Sequence, residues 1–88
     1  MINLPLVLDR DSFKPLYYQI SEVLRALIES NELRPGDRLP SENELIAQYQ
    51  VSRNTARRAI NALIMDGVVY TVQGKGALVS PARTREGL

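Results

Sequence analysis

The chain has 88 residues, with 11 Lys plus Arg against 10 Asp plus Glu and a formal charge of +1, a length that suits one domain. It contains no His and no Cys. It therefore lacks the commonest general base, the thiol nucleophile and the usual ligands of zinc, iron–sulfur clusters and haem, so most enzyme chemistry is disfavoured and neither cofactor nor metal is expected.

Residues 1–14 form a short lead-in whose Leu4, Leu6 and Leu8 alternate around Pro5 and Val7, the pattern of a brief edge strand or a docked arm. Met1–Leu8 has neither a basic leader nor a cleavage site and does not read as a signal peptide. Pro15 then opens a helix to about Ser30, as Pro at a first helical position does. Leu16, Tyr17, Ile20, Val23, Leu24, Leu27 and Ile28 fall on one stripe at about 100° per residue, and Tyr18, Glu22, Arg25 and Glu29 lie opposite. The stripe reads as core. Leu33-Arg34-Pro35-Gly36-Asp37 ends the helix with turn chemistry.

Ser41, with Glu44 three residues on, has the spacing of a capping box. A short second helix follows to about Tyr49, with Leu45, Ile46 and Tyr49 inward. Gln50 then occupies a tight turn and is expected to be left-handed. Ser52 caps a third helix that runs to Asp66, where Gly67 stops it, and buries Ala56, Ala59, Ile60, Leu63 and Ile64.

Beyond Gly67 the period becomes extended. Val68 to Val72 and Ala77 to Val79 read as two strands around a four-residue tip, Gln73-Gly74-Lys75-Gly76. Residues 81–88 read as a linker or tail. Two short helices joined by a tight turn and followed by a hairpin make an α+β winged helix-turn-helix over residues 15–80: three helices, then a two-stranded β-hairpin wing. The longest apolar runs fall far short of the roughly 18 residues of a membrane span, and the absence of cysteine suits a reducing compartment, so the cytoplasm is the expected location.

The charge is unevenly placed. Residues 1–50 carry five basic and eight acidic side chains, and residues 51–88 carry six and two. A basic second half on a nearly neutral chain points to a local anionic partner, either nucleic acid or a membrane surface. On the third helix Arg53, Asn54, Arg57, Arg58 and Asn61 share the arc roughly opposite the apolar stripe. Arg matches guanine O6 and N7, Asn matches adenine N6 and N7, and both reach phosphates, so the face suits a major groove. At the hairpin tip Gly74 and Gly76 would let the backbone approach a minor groove, with Lys75 as a cation between them. Ser41, at a helix start, offers free N–H groups to a phosphate.

Four segments, Pro15-Leu16-Tyr17-Tyr18-Gln19-Ile20, Arg34 to Glu42, Val51 to Ala59 and Gly74-Lys75-Gly76, together closely resemble the DNA-binding domain of GntR-family bacterial repressors. The opening motif is most similar to the HutC subfamily. The resemblance implies a dimeric repressor on a palindromic double-stranded DNA operator, with the third helix in the major groove and the wing in the minor groove. It carries DNA contact to Ser52, Arg53, Asn54, Thr55 and Arg57, and on the wing to Gly74 with its neighbours Gln73 and Lys75. Asn43 stands where many members carry a DNA-contacting Arg, Gln50 where Gly is frequent, and Ala56 where Val is frequent. Such repressors usually continue into a C-terminal effector-binding and dimerisation domain, so this chain is expected to be an isolated DNA-binding domain. A winged-helix protein-interaction module, its basic face meeting an acidic protein, is the competing reading. An enzyme is the most distant, because Glu42 and Glu44 lie on different faces of a short helix and form no acid/base pair.

Overall fold

The computed structural model describes residue 4 and residues 7–81. In chain order it contains α1 (Leu16–Glu29), α2 (Glu42–Tyr49), α3 (Arg53–Met65), β1 (Val69–Val72) and β2 (Gly76–Val79). Residues 1–3, Pro5, Leu6 and residues 82–88 lie outside the described residues, and with them the alternation expected in the lead-in and most of the expected tail. Residues 7–9 form no strand. Leu8 is buried in the core, Leu4 packs against it, and Val7 faces solvent, so the described part of the lead-in docks as an arm. Gln19 pins it: its Nε2 donates to the carbonyls of Asp9 and Lys14, and its Oε1 accepts from the Asp9 N–H at 2.8 Å.

Pro15 stands one position earlier than expected. With ψ at 149° it is the residue outside the helix rather than its first member, and its carbonyl accepts from Tyr18 and Gln19 to begin the ladder. The stripe of α1 behaves as its period requires, with Ile20 and Leu24 wholly buried. It packs against Ala56, Ala59 and Leu63 of α3, also wholly buried, while Ile60 and Ile64 are half-buried at the margin. Two alanines on the seam bring the helix backbones close, and the larger side chains fill the space around them.

Local chemistry fixes both ends of α2 and the start of α3. Ser41 Oγ accepts from the Glu44 N–H at 3.1 Å, and Glu44 Oε1 accepts from the Ser41 N–H at 2.8 Å, the reciprocal capping box that the spacing implies. Gln50 has φ 55° and ψ 51°, the left-handed conformation expected of it, and its N–H closes α2 on the Ile46 carbonyl. Ser52 Oγ accepts from the Thr55 N–H at 3.1 Å and starts α3. Gln50 needs the unusual φ because the chain must reverse between one helix end and the next cap within two residues.

The wing pairs antiparallel, from Val69 with Val79 to Val72 with Gly76. Gly76 therefore belongs to the ladder, and the tip holds three residues, Gln73, Gly74 and Lys75, rather than four. The Lys75 N–H closes the turn on the Val72 carbonyl at 2.9 Å, and Gly74 takes the φ of 85° that its third position demands. Residues 37–39, of which Asp37 was expected to be turn, line the other edge of β2. Leu39 N–H donates to the Ala77 carbonyl and Val79 N–H to the Asp37 carbonyl, with Arg38 bridged to Leu78. Ladder bonds thus hold β2 from both sides.

Candidate nucleic-acid interface

The Ser52 cap sets the rotation of α3, and burial of Ala56, Ala59 and Leu63 against α1 turns the opposite arc outward. Arg53, Asn54, Arg57, Arg58 and Asn61 are all exposed, and Thr55 is half-buried. The outer arc is not uniform. Arg58 leans back, its guanidinium carbon 4.2 Å from the centroid of the Tyr17 ring of α1, a cation–π contact that places this side chain at the α1–α3 seam. Tyr17 is therefore both a flank of the core and a platform for Arg58.

Arg53 and Arg57 lean the other way, toward the first turn of α2. Arg57 Nε donates to Glu42 Oε2 at 3.0 Å and its Nη2 to Oε1 at 3.3 Å. Arg53 Nη1 donates to Glu42 Oε1 at 3.2 Å and its Nη2 to Asn43 Oδ1 at 2.8 Å. One carboxylate thus joins two arginines a helical turn apart, and Asn43 completes the acceptor set. The hydrogen bond from Arg57 is the largest influence holding the Glu42 carboxyl below its ordinary value of 4.5, and it outweighs the partial desolvation that pushes the other way. The same bond raises the pKa of Arg57. Glu42 opens α2, where the helix dipole favours a negative charge.

Ser41 and Ser52 are exposed, but both hydroxyls serve caps: Ser41 in the box with Glu44, Ser52 on Thr55, whose Oγ1 also accepts from it at 3.0 Å. On the wing Gln73, Gly74 and Lys75 are exposed, and Lys75 has no ionic partner among the described residues. Between α3 and the wing runs a cleft of about 390 Å³ that brings together Ser41, Arg57, Asn61, Gly74 and Lys75. Asn43, Ser52, Arg53, Asn54, Thr55, Arg58 and Gln73 lie outside its lining.

Two charged lining residues, Arg38 and Glu42, were not singled out as contacts from the sequence. Arg38 enters through its bridge to Leu78, its side chain running beside Gly76. In the sequence it belongs to the half with an acidic excess, and its place in the family-like segment Arg34 to Glu42 is the signal that could have marked it. Glu42 was weighed only for acid chemistry with Glu44. Its relation to Arg53 and Arg57 depends on how α2 crosses α3, which no local pattern states. Among the described residues no cluster of three or more acidic, His or Cys side chains could hold a metal ion.

The model for bacterial regulatory proteins of the gntR family matches residues 16–79. The chain belongs to that family. It is 38% identical over 81 residues to the transcriptional repressor NagR of Bacillus subtilis, covering 92% of this chain and 33% of that protein. It is 35% identical over 79 residues to the histidine utilization repressor of Klebsiella aerogenes, covering 90% of this chain and 33% of that protein, in keeping with its HutC-like opening. The chain spans about a third of the length of these curated gntR relatives. The DNA-binding domain of AraR, solved in complex with operator ORX1, superposes with a TM-score of 0.79 at 34% identity, covering 91% of this chain and all of that one. The winged helix-turn-helix architecture is thus the one this gntR relative uses while bound to an operator.

Proposed function

We propose that residues 15–80 are the DNA-binding domain of a gntR-family repressor that reads a palindromic operator, α3 entering the major groove and the wing tip the adjacent minor groove. The observation that carries this reading is the cleft between α3 and the wing, where Arg57, Asn61 and Lys75 project from two elements toward one space. A helix about 10–12 Å across fits the major groove, and a turn built on Gly74 is thin enough for the narrower one. Arg53, Asn54, Arg57 and Asn61 are the base-facing candidates. Ser41, Asn43, Ser52, Thr55, Gln73, Gly74 and Lys75 are the positioning contacts to sugar and phosphate, and Arg58 reaches the backbone at the α1 margin.

The whole protein acts as a homodimer on DNA, each copy on one half-site. The dimer contact comes from a C-terminal effector-binding region, for which relatives three times as long have room. Its place is the cytoplasm, at the nucleoid. Among the described residues no helix is long and apolar enough to cross a membrane.

Selection of bound sequences from random duplex DNA, followed by titration of the recovered and scrambled duplexes across a salt series, tests the proposal. Recovery of a palindrome with a steep linear dependence of log affinity on log salt is the expected result. Equal binding of both duplexes, or none, would transfer the basic face to a protein partner.

A further inference from the structure

The Glu42 carboxylate stands between two arginines of the candidate DNA-facing surface. Burial does not account for it, since 29% of its side chain is exposed. A carboxylate facing phosphates costs affinity for any duplex. Which edges of the guanidinium groups it occupies shows what it can do in return.

A guanidinium has five N–H donors, four of them arranged as two forks, one made by Nε with Nη2 and one by Nη2 with Nη1. Glu42 takes the Nε–Nη2 fork of Arg57. The outer fork, Nη1 with the second hydrogen of Nη2, is left for an incoming acceptor pair, and no described residue occupies it. Guanine O6 and N7 are such a pair. Arg57 can therefore keep both bonds to Glu42 and still read a guanine with two more. Arg53 is held differently, because its Nη1 and Nη2 are divided between Glu42 and Asn43. The same carboxylate thus leaves Arg57 a complete reading fork and spends the corresponding donors of Arg53 on α2.

We propose that Glu42 is a positioning residue for base readout: by holding the inner edge of Arg57 it fixes the direction in which the outer edge meets a base. The inference rests on the reading that α3 lies in the major groove. A free arginine must give up the freedom of its long side chain when it docks, and any phosphate within reach competes for its fork. Glu42 orders that side chain before DNA arrives and excludes phosphate from the inner edge. Specificity rises while attraction to DNA in general falls.

That opposition separates the proposal from a merely structural role. The unmutated 88-residue chain, Glu42→Gln, Glu42→Ala, Arg57→Ala and Glu42→Gln/Arg57→Ala are titrated against a duplex recovered by selection with the unmutated chain and against a scrambled duplex of the same composition. Glu42→Gln should bind the scrambled duplex a few-fold more tightly, since a negative charge is removed, while the ratio between the two duplexes falls about tenfold. Glu42→Ala should match or exceed that loss of ratio. In the Arg57→Ala background, Glu42→Gln should leave the ratio unchanged. Thermal melts confirm that each variant folds, and Glu42→Gln, closest in shape, carries the test if Glu42→Ala does not. A ratio unchanged by Glu42→Gln, equal weakening on both duplexes, or a loss that persists without Arg57 would overturn the proposal while leaving the DNA-binding reading intact. If the unmutated chain selects no preferred sequence, the reading falls and the proposal falls with it.

Discussion

The α2–α3 corner and the wing tip each send a cation, Arg57 and Lys75, into the same cleft, yet they hold their cations in opposite ways. At the corner Arg53 and Arg57 are braced by Glu42 and Asn43, each guanidinium fixed through two hydrogen bonds. At the tip Lys75 hangs from a three-residue turn, with no ionic partner among the described residues and only its backbone N–H engaged. The corner spends charge to gain direction. The tip keeps its charge and gives up direction. Reading a base edge needs donors at fixed angles, whereas attracting a phosphate needs little more than proximity. Nearly neutral net charge is compatible with nucleic-acid binding when charge is partitioned in this way.

Four experiments break or sharpen the contrast. Arg57→Ala should have the largest effect, a loss of about 10- to 100-fold in discrimination at one base position if its outer fork reads guanine. Competition titrations with single-base operator variants measure this. Equal weakening of every duplex would remove the distinction between corner and tip. Lys75→Ala should weaken recovered and scrambled duplexes alike, by several-fold, and reduce the salt slope by about one unit per half-site; a change confined to the recovered duplex would make the tip a base reader.

The third experiment tests how the corner is held open. Gln50 carries its left-handed φ of 55° without the freedom of glycine, so Gln50→Gly should stabilise by up to about 1 kcal/mol, relief of strain being partly offset by greater chain entropy when unfolded. Clear destabilisation in thermal melts would mean that the Gln50 side chain contributes more than its backbone costs. The smallest effect is on acid stability. Glu42 is held below its ordinary 4.5 in the folded chain, so its contribution is full above the unfolded value and is lost as pH falls through the lower folded one. Urea titrations stepped downward from neutral pH should show the unmutated chain losing more stability below 4.5 than Glu42→Gln does, by less than about 1 kcal/mol because the pair is solvent-screened. Parallel curves would mean that the bracing serves binding alone.

What could be read from the sequence was what local rules govern. Ser41 with Glu44, Ser52 with Thr55 and the reversal at Gln50 each involve neighbours within one helical turn, and all three appear where the spacing places them. The apolar stripes of α1 and α3 follow from helical period alone. Contacts between distant parts of the chain were hidden. Glu42 meets Arg53 and Arg57 across 11 and 15 residues, and Arg58 meets Tyr17 only because α1 and α3 cross at that point. The tip length was missed for a different reason: Gly76 reads as turn chemistry in the expected four-residue tip, whereas its pairing with Val72 takes it into the ladder and leaves three residues.

The ladder between residues 37–39 and β2 gives the wing a mechanical connection that a lone hairpin would lack. Leu39, bonded to Ala77, is followed within two residues by the Ser41 cap and then by Glu42. Pressure on the wing tip is therefore carried along β2, across those hydrogen bonds and into the first turn of α2, where Arg53 and Arg57 are held. The ladder ties the wing to the helix pair and sets the spacing between them. On the proposed reading, a major groove and its neighbouring minor groove would have to fit that spacing together. In hydrogen exchange, the Leu39 and Val79 amides should open with the α2 cap rather than with the exposed tip.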